Sequence, residues 1–126
     1  GGPARGQCRG SAGPQGLVAV SERGLEGGCC VKVLGPTWRV LRVLGVPGSP
    51  PLLTDPWGVS LDDAGRVLVA DWGRRDHRVL CFPRKGQGWA VVNKGLSSPC
   101  GVALLGEHHL VVADSMHHCL KVFQYC

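Results

Sequence analysis

Three residues of types that bind metal ions stand side by side in the sequence: His117, His118 and Cys119, with Cys126 further along. A structural zinc site needs four ligands, usually arranged in recognisable pairs such as C-x2–4-C or H-x3–5-H. Neighbouring residues of a strand point to opposite faces, so this spacing does not direct the side chains to one ion. We therefore expect a solvent-exposed turn here, with no bound metal and no other cofactor.

The motifs through which common catalytic chemistry is recognised do not occur. The sequence contains no serine elbow, no H-E-x-x-H, no P-loop and no dinucleotide-binding glycine pattern after a strand. A RING domain would need a full set of Cys and His ligands in ordered pairs, and these pairs do not occur either. We therefore expect a protein that is not an enzyme and has no catalytic residues.

The clearest binding signal is the basic segment "WGRRDHR", which runs from Trp72 to Arg78. Its Trp72, Arg74, Arg75 and Arg78 belong to residue types that are enriched at binding hot spots. Arginine donates paired hydrogen bonds to carboxylates and phosphates, and the tryptophan ring offers a stacking face. We predict a partner-binding turn, with an acidic protein segment as the first partner and single-stranded RNA as the second. The alternative is a solvated basic turn with Trp72 packed against its own sheet.

An internal repeat defines the elements that hold this turn. Each copy consists of Pro-x-Gly-Val, a turn, an apolar run ending in Ala-Asp, a polar turn and a second apolar run ending in Phe. Identical residues lie 43 positions apart at Pro56 and Pro99, Gly58 and Gly101, Val59 and Val102, and Asp71 and Asp114. The turn after Asp71 is two residues longer than the turn after Asp114. A weaker upstream copy has Ser21 in place of the aspartate.

The apolar runs of the repeat are typical of short β-strands. Val67–Ala70 and Leu110–Ala113 are β-rich runs bounded by turn residues. The further runs "TWRVLRVLG" and "GWAVVNKG" lie between the copies, so each unit holds about four strands. Four strands in a period of about 40–45 residues indicate a β-propeller blade. A single blade cannot bury its own faces, which explains why the unit is repeated.

Two segments resemble the NHL repeats: "DPWGVSLDDAGRVLVADWGRRDHRVLCF" and "SPCGVALLGEHHLVVADSMHHCLKVF". The resemblance implies an all-β fold, a partial NHL-type β-propeller with two clear blades and one degenerate blade. We place the repeats at about 17–44, 55–83 and 98–124, within a domain over residues 17–126. The Gly- and Pro-rich segment 1–16 is expected to be disordered.

The same resemblance implies structural roles for four residues, namely Asp71, Asp114, Gly58 and Gly101, as turn residues of the repeats. We expect each aspartate to accept backbone N–H hydrogen bonds from the turn that follows it. Arg78 occupies the position of a family arginine that can pair with a turn carboxylate. Cys119 occupies that position in the last repeat and cannot form such a pair.

The resemblance also implies a function. NHL repeats serve as recognition platforms in RING-type ubiquitin ligases and tripartite-motif proteins, some of which bind RNA. We therefore expect a non-catalytic protein-interaction module, related to the substrate-recognition parts of ubiquitin ligases and thus to protein ubiquitination. Two alternatives remain: an RNA-binding module that uses a basic face, and an incomplete fragment without independent function, since the sequence does not start with Met.

Composition bears on compartment and assembly. A net charge of +5 tolerates acidic partners, and a hydrophobic fraction of 44% is too high for wholesale disorder. Seven cysteines without C-x-x-C, and no apolar run that could cross a membrane, favour a reduced cytoplasmic protein with mostly buried thiols and no membrane partner. Six blades of the family's period would need about 240–270 residues. Open blade edges in this shorter chain therefore predict a homo-oligomer or a monomer that is prone to aggregation.

Overall fold

The computed structural model describes residues 6–24, 28–73 and 77–126, with the backbone alone for residues 6–9 and 24. In these ranges the fold is all-β, and eleven strands form three antiparallel sheets. The strands are Gly6–Ala12 (β1), Val18–Gly24 (β2), Cys29–Leu34 (β3), Val40–Leu44 (β4), Pro56–Leu61 (β5), Val67–Trp72 (β6), His77–Phe82 (β7), Trp89–Val92 (β8), Pro99–Leu105 (β9), His109–Asp114 (β10) and Cys119–Gln124 (β11). Across the described ranges there is no helix with the length and apolar character to cross a membrane.

Each sheet consists of consecutive strands, as a propeller blade does. We name β1–β4 blade 1, β5–β8 blade 2 and β9–β11 blade 3. The first strand of each blade lies at one edge of its sheet, and these edge strands are neighbours, because β5 contacts both β1 and β9. Tight turns join the strands; in the β5–β6 turn, Gly65 has a φ of 80°, which glycine adopts without strain. The prediction of an all-β partial propeller is confirmed.

The hydrophobic core lies between the blades. In blades 2 and 3 we name the side that faces the preceding blade the front face, and in blade 1 the side at the same register positions; the opposite side is the back face. The front face of blade 2 packs against blade 1 and is formed mainly by Val67, Val69, Leu80 and Phe82. Its back face packs against blade 3 and is formed mainly by Leu68, Ala70, Val79 and Cys81. Because both faces are buried, β6 and β7 have continuous apolar runs in the sequence rather than alternating ones.

Blade 1 includes more of the N-terminal segment than the sequence predicts. Disorder is expected for residues 1–16, whereas Gly6–Ala12 forms β1 and pairs along its whole length with β2. Residues 1–5 lie outside the described part of the chain. A glycine-rich strand is weak in isolation, but β1 pairs with β2 and also contacts β5. The structure therefore departs from the predicted boundary at residue 17, and the blade that is degenerate in sequence has four strands.

The cysteines are more exposed than the sequence predicts. Cys30 and Cys81 are buried, whereas Cys100, Cys119 and Cys126 are exposed. Burial raises the pKa of the Cys81 thiol to about 12, so this thiol is protonated at neutral pH. The prediction of mostly buried thiols is wrong: of the six cysteines that the structure describes as free, two are buried, and the three exposed ones lie in β9, in the edge strand β11 and after that strand.

Candidate functional site

Asp71 is a fully buried carboxylate near the end of β6. Its Oδ1 accepts hydrogen bonds from the backbone N–H groups of Thr54, at 3.0 Å, and Asp55, at 2.8 Å. Its Oδ2 accepts a 3.0 Å hydrogen bond from Nε of Arg78. The Nη2 of the same arginine donates to the carbonyl of Leu52. The carboxylate therefore fixes the loop that leads into β5. The prediction that the following turn supplies these N–H groups is wrong, because Asp71 lies opposite Pro56 in the sheet and reaches the residues before it.

Asp114 repeats this arrangement in blade 3. Its buried carboxylate accepts hydrogen bonds from the N–H groups of Ser97, at 3.0 Å, and Ser98, at 2.7 Å. Lys121 Nζ lies 3.0 Å from Oδ2, where the second blade has Arg78, and His117 Nδ1 lies 2.8 Å from the same oxygen. Alignment of the two repeats did not point to Lys121, because it places Cys119 at the position of Arg78. In the sheet register Cys119 does pair with Asp114, as Arg78 pairs with Asp71. The lysine stands two residues further on, and its long side chain reaches back to the carboxylate.

Blade 1 carries a partial version of the same arrangement. Asp114 pairs with Cys119 in the register, and the matching pair in blade 1 is Glu22 and Cys30. Glu22 forms an ion pair with Lys32 at 3.1 Å, as Asp114 does with Lys121. A shift of one residue moves a side chain to the other face of a sheet. Ser21, predicted to replace the aspartate, therefore faces blade 2, where its hydroxyl donates to the carbonyl of Trp57.

The two repeat glycines lie within strands β5 and β9 and not in turns. A Cβ atom on Gly58 would lie 2.5 Å from the carbonyl oxygen of Cys100 and 3.1 Å from the Cα of Gly101, because β5 and β9 approach backbone to backbone. A Cβ atom on Gly101 would meet only the Cβ of Ala113, at an ordinary 3.6 Å. Gly58 is thus required by the packing of blade 2 on blade 3, whereas Gly101 has no such neighbour in the described chain.

A ladder of stacked side chains joins the three blades at the end where the basic segment emerges. The guanidinium carbon of Arg23, in β2, lies 3.7 Å from the ring centroid of Trp57, in β5. The ring centroids of Trp57 and Trp72 are 4.4 Å apart, and Trp72 lies 5.4 Å from the ring of His77. Trp72 Nε1 donates a 2.7 Å hydrogen bond to the carbonyl of Pro99, in β9. The ladder therefore runs from blade 1 across blade 2 to blade 3.

Two of the four residues of the predicted partner-binding turn make contacts within the protein. Its two end residues, Trp72 and Arg78, are engaged within the protein, the first in the ladder and the second at Asp71. Arg74 and Arg75, the other two predicted residues, lie outside the described part of the chain. The sequence did not point to Trp57 or Arg23, because their contacts are made between blades and carry no local motif.

The chain is similar to known proteins over nearly its whole length. The family model "NHL repeat" matches residues 53–82, which contain β5–β7, and residues 96–123, which contain β9, β10 and all of β11 except its last residue. "NHL-repeat-containing protein 4" of Mus musculus is 36% identical over 120 residues, which are 95% of this chain and 83% of that protein. The protein of the same name from Homo sapiens is 35% identical over 119 residues, which are 94% of this chain and 91% of that protein. This chain belongs to the NHL-repeat family.

The family also includes longer proteins. "E3 ubiquitin-protein ligase TRIM32" of Homo sapiens is 30% identical over 109 residues, which are 83% of this chain but only 16% of that protein. The resemblance to NHL repeats predicted from the sequence is confirmed. The chain therefore carries NHL repeats, a type of protein-interaction module.

Asp62 links two of these NHL repeats through its hydrogen bonds. Asp62, which the sequence analysis did not single out, accepts hydrogen bonds from the N–H groups of Ala64 and Arg66 in its own turn. It also accepts one from the hydroxyl of Tyr125 at 2.9 Å, which ties blade 2 to the end of blade 3. Among the described residues no group of three or more Cys, His, Asp or Glu side chains is arranged to hold a metal ion.

Acid should destabilise the NHL repeats in part through Asp114. Burial alone would raise the pKa of this carboxyl, but the N–H groups of Ser98 and Ser97 and the ammonium of Lys121 outweigh it, and its pKa is held well below the usual range. Such a group stabilises the fold fully above its unfolded pKa, about 3.9, and this stabilisation is lost as pH falls below that value towards the native pKa. Between about pH 6 and pH 3, the wild type should therefore lose more unfolding free energy than Asp114→Asn.

Urea denaturation at each pH measures this difference. Asp63→Asn, a change at an exposed aspartate, is the control and should behave as the wild type does. Equal losses in the wild type and Asp114→Asn would show that Asp114 does not carry the effect.

Proposed function

We propose that this chain is a non-catalytic protein-interaction module of the cytoplasm, and that its basic segment Trp72–Arg78 binds an acidic segment of a protein partner. The observation that carries the proposal is the anchoring of both ends of this segment. Trp72 is fixed by the ladder and by Pro99, and Arg78 is fixed by Asp71 and Leu52. Both ends of the segment are therefore rigidly held, and rigid presentation lowers the entropic cost of binding.

The roles of the four arginine and tryptophan side chains differ in this proposal. Trp72, which is half-buried, and Arg78 position the turn. Arg74 and Arg75 supply the charge that meets the partner. Paired N–H donors of arginine match the geometry of carboxylates, which makes an acidic segment the preferred ligand.

A non-catalytic role agrees with the state of the buried carboxylates. Asp71 and Asp114 are fully buried and satisfied by backbone N–H groups and by a cation. They are therefore unsuited to exchange protons with a substrate.

By relationship to TRIM32, whose name describes it as a ubiquitin-protein ligase, we propose that the chain recognises proteins in the ubiquitination pathway. Thiols such as Cys29, Cys30 and Cys81, which are free in the structure, suit a reducing compartment.

Reversal of charge tests the proposed site. The double variant Arg74→Glu/Arg75→Glu should keep the fold, since the contacts that hold the segment are made by Trp72 and Arg78, which stay unchanged. It should also abolish the partners that the wild type recovers from cytosolic extract, as measured by affinity capture and mass spectrometry. Arg84→Glu/Lys85→Glu is the matched control, because it reverses two adjacent exposed charges in the β7–β8 turn, at the opposite end of the sheet.

The controls separate three outcomes. Recovery of the same partners by the Arg74→Glu/Arg75→Glu variant would mean that the segment is only a solvated turn. Equal loss in both double variants would mean that overall charge, and not this site, governs binding. Capture that depends on nuclease-sensitive RNA and weakens steeply with salt would favour the RNA-binding alternative.

A further inference from the structure

The back face of blade 3 is apolar and uncovered in the described chain. Leu120 is 70% exposed and Val122 is 55% exposed, although both belong to a strand. In blade 2 the residues at the same register positions, Val79 and Cys81, are completely buried by blade 3. An exposed apolar sheet face of this kind marks a surface that another protein surface covers.

The front face of blade 1 carries the residues that would fit there. The front face of blade 3, which packs on the back face of blade 2, includes Leu110, Val112, Asp114 and Lys121. At the same register positions the front face of blade 1 has Val18, Val20, Glu22 and Lys32. The apolar pair is followed in both blades by a carboxylate–lysine ion pair. Blade 1 therefore presents, at the start of the described chain, a counterpart of the surface that covers blade 2.

We propose that the back face of blade 3 binds the front face of blade 1 of a second copy of this chain. The contact would repeat the packing of blade 3 on blade 2, which the chain already forms within itself. It is a head-to-tail contact between two different surfaces, so each copy offers one surface of each kind. The proposal depends on the packing of the blades and is independent of the acidic partner proposed for the basic segment.

The free space beside Gly101 supports this arrangement. At its counterpart Gly58, the backbone of the next blade approaches so closely that a Cβ atom would not fit. Gly101 leaves the same room on the back face of blade 3, with only Ala113 in contact with an added Cβ. The edge strand β1 of a second copy would occupy that space as β9 does beside β5.

Light scattering coupled to size-exclusion chromatography tests the proposal on the full chain. The wild type should have a mass of two chains if two copies close a ring, or of a larger whole number if more copies are needed to close it. Leu120→Asp, on the back face of blade 3, and Val20→Asp, on the front face of blade 1, should each reduce the mass towards that of one chain. Leu52→Asp is the matched control, because this exposed leucine lies in the loop between blades 1 and 2.

A mixture of the two variants distinguishes head-to-tail association from misfolding. Val20→Asp keeps an intact blade 3 face and Leu120→Asp keeps an intact blade 1 face, so a mixture should form complexes that neither variant forms alone. A wild type with the mass of one chain at high concentration would overturn the proposal. So would a Val20→Asp variant that associates as well as the wild type, because two blade 3 faces would then be binding each other.

Discussion

The substitution Asp71→Ala should lower the free energy of unfolding by about 3–5 kcal/mol, the largest loss that we expect from a single change in this chain. The alanine would leave Arg78 without its buried counter-ion and two backbone N–H groups, those of Thr54 and Asp55, without their acceptor. A buried donor left without a partner costs about 1–3 kcal/mol. The loop into β5 would also lose the contact that fixes it.

Urea denaturation at one fixed protein concentration measures this loss, because association makes stability depend on concentration. Asp71→Asn should be intermediate, since its amide oxygen still accepts N–H hydrogen bonds but no longer pairs with the Arg78 guanidinium. Asp63→Ala, at an exposed aspartate, should be close to neutral. A loss below about 1 kcal/mol for Asp71→Ala would mean that the loop keeps its place without the carboxylate.

The substitution Gly58→Ala should destabilise the chain by about 1–3 kcal/mol or more, while Gly101→Ala should stay within about 0.5 kcal/mol. The added methyl group at residue 58 would lie 2.5 Å from the carbonyl oxygen of Cys100, and a strand backbone cannot yield as a flexible side chain can. The same methyl group at residue 101 has space. The two glycines hold the same position in the repeat, so the pair isolates the effect of the neighbouring blade.

Both glycine variants are best compared by thermal and urea unfolding in the Leu120→Asp background, where the proposed association is removed. Equal losses at the two positions would contradict the explanation, because a shared effect of alanine on strand formation would then account for both. A neutral Gly58→Ala would mean that β5 and β9 can separate at no cost.

The sequence was sufficient for the repeat and its strands because these depend on local patterns. The apolar runs after Gly65 and before Asp71 and Asp114, with turn residues on either side, specify strands without knowledge of distant contacts. The period then implied blades, and the blades implied packing face to face. Strand β1 was missed because its glycine-rich sequence has no strand pattern and depends on its neighbours β2 and β5.

The details of the candidate site depend on tertiary contacts that local patterns do not encode. The backbone partners of Asp71 precede it by 16 and 17 residues, and backbone groups leave no mark in the side-chain sequence. The counterpart in blade 1 is Glu22 and not Ser21, a difference of one residue that only the strand register shows. Trp72 was singled out as a partner-binding residue, but its bond to Pro99 across the blade boundary could not be anticipated.

Blade 2 is covered on both faces, and this has a consequence for how the chain opens. Each of the two core clusters is shared by blade 2 and one neighbour, so no cluster belongs to a single sheet. Stability in such an array is a sum of terms for individual units and terms for the contacts between adjacent units. Detachment of blade 1 loses only its contact with blade 2, and detachment of blade 3 loses only its own contact with blade 2. The sheet of blade 2 can open only when both contacts are lost. Local opening should therefore begin at the terminal sheets, and the backbone amides of β6 and β7 exchange with solvent only through the most extensive unfolding.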